Sequence, residues 1–133
     1  MLIVAVVGAL AFGGYRATTD GRFRGKSVQP SPGILAGTPW ADELGEQATL
    51  LQFSSAFCAP CRATRRVLED VAQNTDGVAH IEVDAEGHLD LVRRLDVLRT
   101  PTTLVLDRDG REVARAAGAP TKQQVLAALA QLA

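Results

Sequence analysis

Hydrophobic positions divide this chain into three regimes. An apolar run broken only by glycine reaches from Leu2 to Tyr15, a stretch from Thr18 to Thr38 has no sustained period, and the remainder alternates short apolar runs with helical spacings. Within that remainder, Thr49-Leu-Leu-Gln-Phe-Ser54 has the length and composition of a buried strand, with Gln52 as its one misfit. Val67, Leu68 and Val71 then recur at helical spacing while Arg65, Arg66, Glu69 and Asp70 fall elsewhere, which predicts a helix over about 58–74 ended by the Gly77 region. Val78 to Asp84 alternates and predicts a second strand, followed by a short helix over 89–95 with Leu91, Val92 and Leu95 on one side. Strand-like runs at 102–106 and 112–116 flank Asp107-Arg108-Asp109-Gly110, whose Asp-Gly pair signals a hairpin. Thr121 and Gln124 form a capping box that opens a last helix carrying Val125, Leu126, Leu129 and Leu132 on one face. Asp42-Glu43-Leu44 is expected to form a further short helix.

Strands alternating with helices and ending in a hairpin imply an α/β domain, a mixed central sheet with helices on both faces. The unpatterned stretch is rich in Gly and Pro (Gly21, Gly25, Pro30, Pro32, Gly33, Gly37) and suits a tether. The expected organisation is a hydrophobic membrane segment over 1–16, a flexible linker over 17–37 and the folded domain over 38–133.

The apolar run carries no charged side chain, and residues 2–15 are expected to contact a membrane, although the run is shorter than the ~20 residues that span a bilayer core. Arg16, Arg22, Arg24 and Lys26 follow it rather than precede it, which favours an uncleaved anchor over a signal peptide. The same bias places the C-terminal flank, and with it the domain, in the cytoplasm, the alternative being an extracytoplasmic domain. Across the chain 14 basic residues nearly balance 15 acidic ones, so no basic face marks a nucleic-acid partner.

The chemistry is concentrated at Phe57-Cys58-Ala59-Pro60-Cys61-Arg62, which holds both cysteines of the chain at a strand-to-helix junction. About 100 residues build a core without covalent staples, so the pair is available for reversible disulfide chemistry. At the mouth of a helix, free backbone amides and the positive end of the dipole lower a thiol pKa, which makes Cys58 the candidate nucleophile. Cys61, one turn further on, is placed to attack a mixed disulfide on Cys58, and Pro60 is tolerated because first-turn amides lack intrahelical partners.

From about Thr38 onward the chain resembles the thioredoxin family. The resemblance rests on the apolar strand, the aromatic-Cys-x-Pro-Cys-basic motif from Phe57 to Arg62, the strand ending at Asp84, Thr100-Pro101-Thr102 before a strand, the Asp109-Gly110 hairpin, and Gly118 before the last helix. It covers about three quarters of the chain, with the motifs in order. It implies a thioredoxin-like fold and a protein-disulfide reductase acting through Cys58 and Cys61. It also implies a cis Pro101 facing the disulfide and a substrate groove formed with Thr100, Phe57 and Pro60. The implied partners are disulfide-containing proteins and an external electron donor such as a thioredoxin reductase or another thiol system, with no cofactor and no metal.

Two departures stand out. Where thioredoxin buries an acidic residue beneath the second cysteine, this chain has Gln52, which cannot accept a proton. Tryptophan and Gly-Pro of the family motif are here Phe57 and Ala59-Pro60, so the direction of electron flow is not fixed by the motif. Two other readings stay open: a non-catalytic interaction module of the same fold, which Gln52 favours, and a soft-metal site for zinc or copper on the two thiolates. His80 and His88 are assigned no role.

Overall fold

A computed structural model describes residues 2–25 and 33–132 of the chain. Lys26, Pro30 and Pro32, part of the expected charge bias and linker, lie outside the described residues. Helix α1 (Leu2–Thr19) leads into strand β1 (Arg24–Gly25). The domain then follows as β2 (Ala48–Ser54), α2 (Ala59–Gln73), β3 (Val78–Asp84), α3 (Leu89–Arg94), β4 (Thr102–Asp107), β5 (Glu112–Ala117) and α4 (Lys122–Ala130). The sheet order is β1-β5-β4-β2-β3, with β2 parallel to β3 and every other pairing antiparallel.

Alternation along the strands sorts side chains into two cores. Leu51, Phe53, Ile81, Val83, Leu104 and Leu106 face the side covered by Leu35 and by Leu91 of α3. Leu50, Val105 and Ala114 face the other side, against Leu68 and Val71 of α2 and Val125 and Ala128 of α4. Strand β2 is buried along its whole length because it lies inside the sheet with both faces covered. The predicted capping box on α4 is formed: the Gln124 amide donates to Thr121 Oγ1 and the Thr121 amide donates to Gln124 Oε1. Gly110 closes the β4–β5 hairpin at φ 77°, a conformation that glycine adopts without a Cβ clash.

Two expectations need correction. Asp42-Glu43-Leu44 does not form a helix; residues 33–43 run through i→i+3 turns such as Thr38 to Leu35 and Glu43 to Trp40. Pro39 donates no backbone bond, and the Thr38 hydroxyl donates to the Leu35 carbonyl, so helix propagation has little to build on there. The stretch expected as linker is also partly packed. Leu35 is only 1% exposed in the core, and Arg24–Gly25 pair with Arg115 and Ala114 on the edge of β5.

The apolar run is a single helix, long and apolar enough by length and composition to cross a membrane, as a signal sequence near an N-terminus also is. It extends to Thr19, three residues past the expected boundary at 16. Its exit is fastened to the domain. The Gly21 amide donates to the Ala117 carbonyl, and Arg99 Nη1 lies 3.2 Å from Asp20 Oδ1. That hydrogen bond, helped by the charges of Arg99 and Arg16, holds the Asp20 carboxyl below its ordinary pKa.

Candidate active site

The β2–α2 junction carries the cysteine pair. Cys58 is the N-cap of α2, with Ala59 and Pro60 in the first turn, and Cys61 lies one turn in. The two are joined as a disulfide with Cα atoms 5.2 Å apart. They differ in access. Cys61 is 2% exposed, whereas Cys58 is partly exposed between the fully exposed Phe57 and the exposed Ala59. The Cys61 amide donates to Cys58 Sγ at 3.1 Å, so the first-turn donor that would stabilise a thiolate is already aimed at that sulfur.

Phe57 adopts φ 58°, a left-handed backbone that phenylalanine seldom occupies, and its side chain is 101% exposed. Thr100-Pro101 is a cis peptide, and Pro101 is buried beside half-buried Thr100. The loops meet through a hydrogen bond of 2.8 Å between the hydroxyls of Ser55 and Thr100, residues 45 positions apart. Beside this junction an apolar groove of about 240 Å³ is lined by Ser55, Leu89, Val92, Val97, Leu98 and Thr100, with Leu98 93% exposed. Of the residues singled out in the sequence, Phe57, Cys58, Pro60 and Cys61 thus share one loop and helix turn, which the Ser55 bond ties to Thr100-Pro101.

Beneath the pair lies a buried polar cluster. Gln52, fully buried, donates through Nε2 to the Cys61 carbonyl and to Ser54 Oγ, each at 2.9 Å. A carbonyl can only accept, so the amide nitrogen of Gln52 faces α2 and its Oε1 faces His80 Nε2 at 3.0 Å. His80 therefore donates through Nε2–H. Ser54 Oγ continues to Glu82 at 3.2 Å, and Glu82 is held by Arg65 Nε at 2.8 Å. Gln52 thus pins the backbone of the second cysteine. His80, to which the sequence assigned no role, supports that glutamine; the two meet only because the parallel β2–β3 register sets His80 opposite Leu50, two residues before Gln52 on the same face of the sheet.

Burial lowers the His80 pKa from its ordinary value, assisted by Arg65 and opposed by the charges of Glu69 and Glu82. In the unfolded chain the imidazole titrates near ~6.5. The unfolded state therefore holds the proton more tightly, so stability is full above that pH and falls as pH drops through it, levelling below the folded-state pKa. His80→Gln keeps an N–H donor for Gln52 but does not titrate. Urea midpoints measured between about pH 7.5 and 5 should decline less in this variant than in the wild type; parallel profiles would remove His80 as the source.

Among the described residues, no group of three or more His, Cys, Asp or Glu side chains is placed to hold a metal ion. The family model named Thioredoxin matches residues 33–131. The thioredoxin of Chlamydia trachomatis serovar D is 28% identical over 93 residues, covering 70% of this chain and 90% of that protein. That of Mycolicibacterium smegmatis is 34% identical over 89 residues, covering 64% of this chain and 79% of its own length. Among solved structures, chloroplastic thioredoxin z superposes with a TM-score of 0.59 at 26% identity, covering 65% of this chain and 79% of that one. Thioredoxin f from spinach chloroplast superposes with a TM-score of 0.62 at 21% identity over 75% of this chain and 88% of its own, a likeness of fold alone.

Proposed function

The chain belongs to the thioredoxin family of thiol–disulfide oxidoreductases, and from that premise we propose that it reduces protein disulfides at a membrane surface through Cys58 and Cys61. The observation that carries this reading is the asymmetry of the pair. Cys58 is partly exposed at the N-cap of α2, with an amide donor on its sulfur, while Cys61 is buried directly behind it. Such an arrangement suits attack by Cys58 and resolution by Cys61. Phe57, Pro60, Thr100 and Pro101 form the surface against which an extended substrate segment lies. Two electrons per cycle come from an external donor, a thioredoxin reductase or another thiol system.

Helix α1 serves as the anchor in this reading, and Arg16, Arg22 and Arg24 at its C-terminal flank favour a domain on the cytoplasmic side. With Gln52 in place of a buried acid, Cys61 loses its proton to solvent or to the departing substrate thiolate rather than to a side chain beneath it.

An equilibrium titration of the full chain in detergent, with Cys58 and Cys61 followed by thiol labelling across a glutathione or dithiothreitol series, tests the proposal. The expected result is a reversible two-electron couple near about −270 mV, the range of a reductase. A couple near about −120 mV would reverse the direction to oxidation, and failure to form the disulfide would remove the exchange mechanism.

A further inference from the structure

The end of α1 and the edge of the sheet enclose a groove of about 480 Å³ that plays no part in the disulfide chemistry. Its lining gathers Arg16, Arg22, Arg24, Arg99 and Arg115 around a single acidic residue, Asp20. Arg16 and Arg99 share that carboxylate at 3.9 and 3.2 Å. Arg115 is fixed by buried Glu112 at 2.6 Å and by the carbonyls of Leu95 and Asp96. Arg22 and Arg24 are exposed and have no ion-pair partner among the described residues. Five guanidiniums against the carboxylates of Asp20 and Glu112 leave positive charge in excess in one concave site, a repulsive arrangement that a bound anion relieves.

Position narrows the kind of anion. Phe12 and Tyr15, each 63% exposed, form the wall of the groove on the helix side. They lie in the last two turns of the apolar helix, the depth at which aromatic side chains meet lipid headgroups. A free phosphate has no use for that apolar wall, whereas a phospholipid fills both parts at once, its acyl chains along α1 and its phosphodiester among the guanidiniums.

We propose that this groove binds the headgroup of an anionic phospholipid, held by Arg22 and Arg24 together with the guanidiniums already anchored on the domain. The proposal rests on reading α1 as a membrane anchor. Bound there, the lipid lies against Arg99, two residues from Pro101, and fixes the catalytic face relative to the bilayer.

The test uses the full chain in detergent micelles, titrated with phosphatidylglycerol or phosphatidylcholine and read by native mass spectrometry. One equivalent of phosphatidylglycerol should be retained about tenfold or more tightly than phosphatidylcholine, since each cation near an anionic surface contributes appreciably. The double variant Arg22→Gln/Arg24→Gln should abolish that preference while leaving the thiol titration unchanged. Equal retention of the two lipids, or an unaffected double variant, overturns the site. Complete displacement by an equal concentration of inorganic phosphate overturns the lipid in favour of a free anion. Alkaline carbonate extraction of membranes from expressing cells separates the premise from the site. Release of the chain removes the anchor and the lipid with it, whereas retention without a phosphatidylglycerol preference removes the site alone.

Discussion

Cys58→Ser is expected to abolish reduction of a protein disulfide, to below about a thousandth of wild type, while Cys61→Ser stops the reaction at a covalent adduct. In the proposed cycle the Cys58 thiolate first attacks one sulfur of the substrate disulfide. That bond breaks, a mixed disulfide forms, and the departing substrate thiolate takes up a proton. In the second step Cys61 attacks the Cys58 sulfur, the substrate leaves with both sulfurs reduced, and the protein is left with the disulfide seen here. Serine at 58 removes the only sulfur of the pair that is open to solvent, because Cys61 is 2% exposed. Serine at 61 keeps the attacking sulfur and the helix N-terminus beneath it, so the mixed disulfide accumulates and is released by dithiothreitol. Insulin reduction monitored by turbidity reads the first variant, and a mass shift on non-reducing gels reads the second. The chain has two cysteines, so substantial activity in Cys58→Ser would hand the nucleophile's role to Cys61, and an adduct confined to Cys58→Ser would do the same.

The largest effect on stability is expected from Phe53→Ala. Phe53 lies in β2 between β3 and β4, is 0% exposed, and packs in the core with Leu51, Val83 and Leu104. Removing a buried phenyl ring costs about 3–5 kcal/mol from the lost transfer energy and the cavity left behind. A domain of this size has roughly 5–15 kcal/mol to lose. At a urea dependence of about 2 kcal/mol/M, the unfolding midpoint should fall by roughly 2 M, with Trp40, which packs against the same core, as the fluorescent reporter. Phe57→Ala is the contrast. Only four positions away, Phe57 is 101% exposed, and truncating it should change stability by no more than about 0.5 kcal/mol, a midpoint shift of about 0.25 M. Equal losses in the two variants would contradict the assignment of one ring to the core and the other to the active-site surface.

Local signals were readable in the sequence wherever they were dense. The alternation of Val78 to Asp84, the Asp109-Gly110 turn and the Thr121–Gln124 capping box each use residues within a few positions of one another, and each element formed where expected. Features that depend on distant partners were not readable. Arg24–Gly25 is too short to have a period, and it becomes a strand only because β5 offers an open edge. His80 carries no local mark of its link to Gln52, 28 positions away, until β2 and β3 lie parallel. Gln52 itself was visible as a polar misfit in an apolar strand. What the sequence could not give was its use, a side-chain amide holding the Cys61 carbonyl. Asp42-Glu43-Leu44 failed in the other direction, because local turn bonds after Gly33 outcompete a helix too short to nucleate.

The short path from α1 to the sheet has a mechanical meaning. Only residues 20–23 separate the end of the helix from β1, and even fully extended a span of that length reaches less than about 20 Å. If α1 is held in a bilayer as proposed, the point where the domain joins it can move no further than that span from the lipid. On that proposal, substrates would be chosen by height as well as by shape: a disulfide close to the membrane would come within range again and again, and one carried far above it would not, however well it would fit the groove.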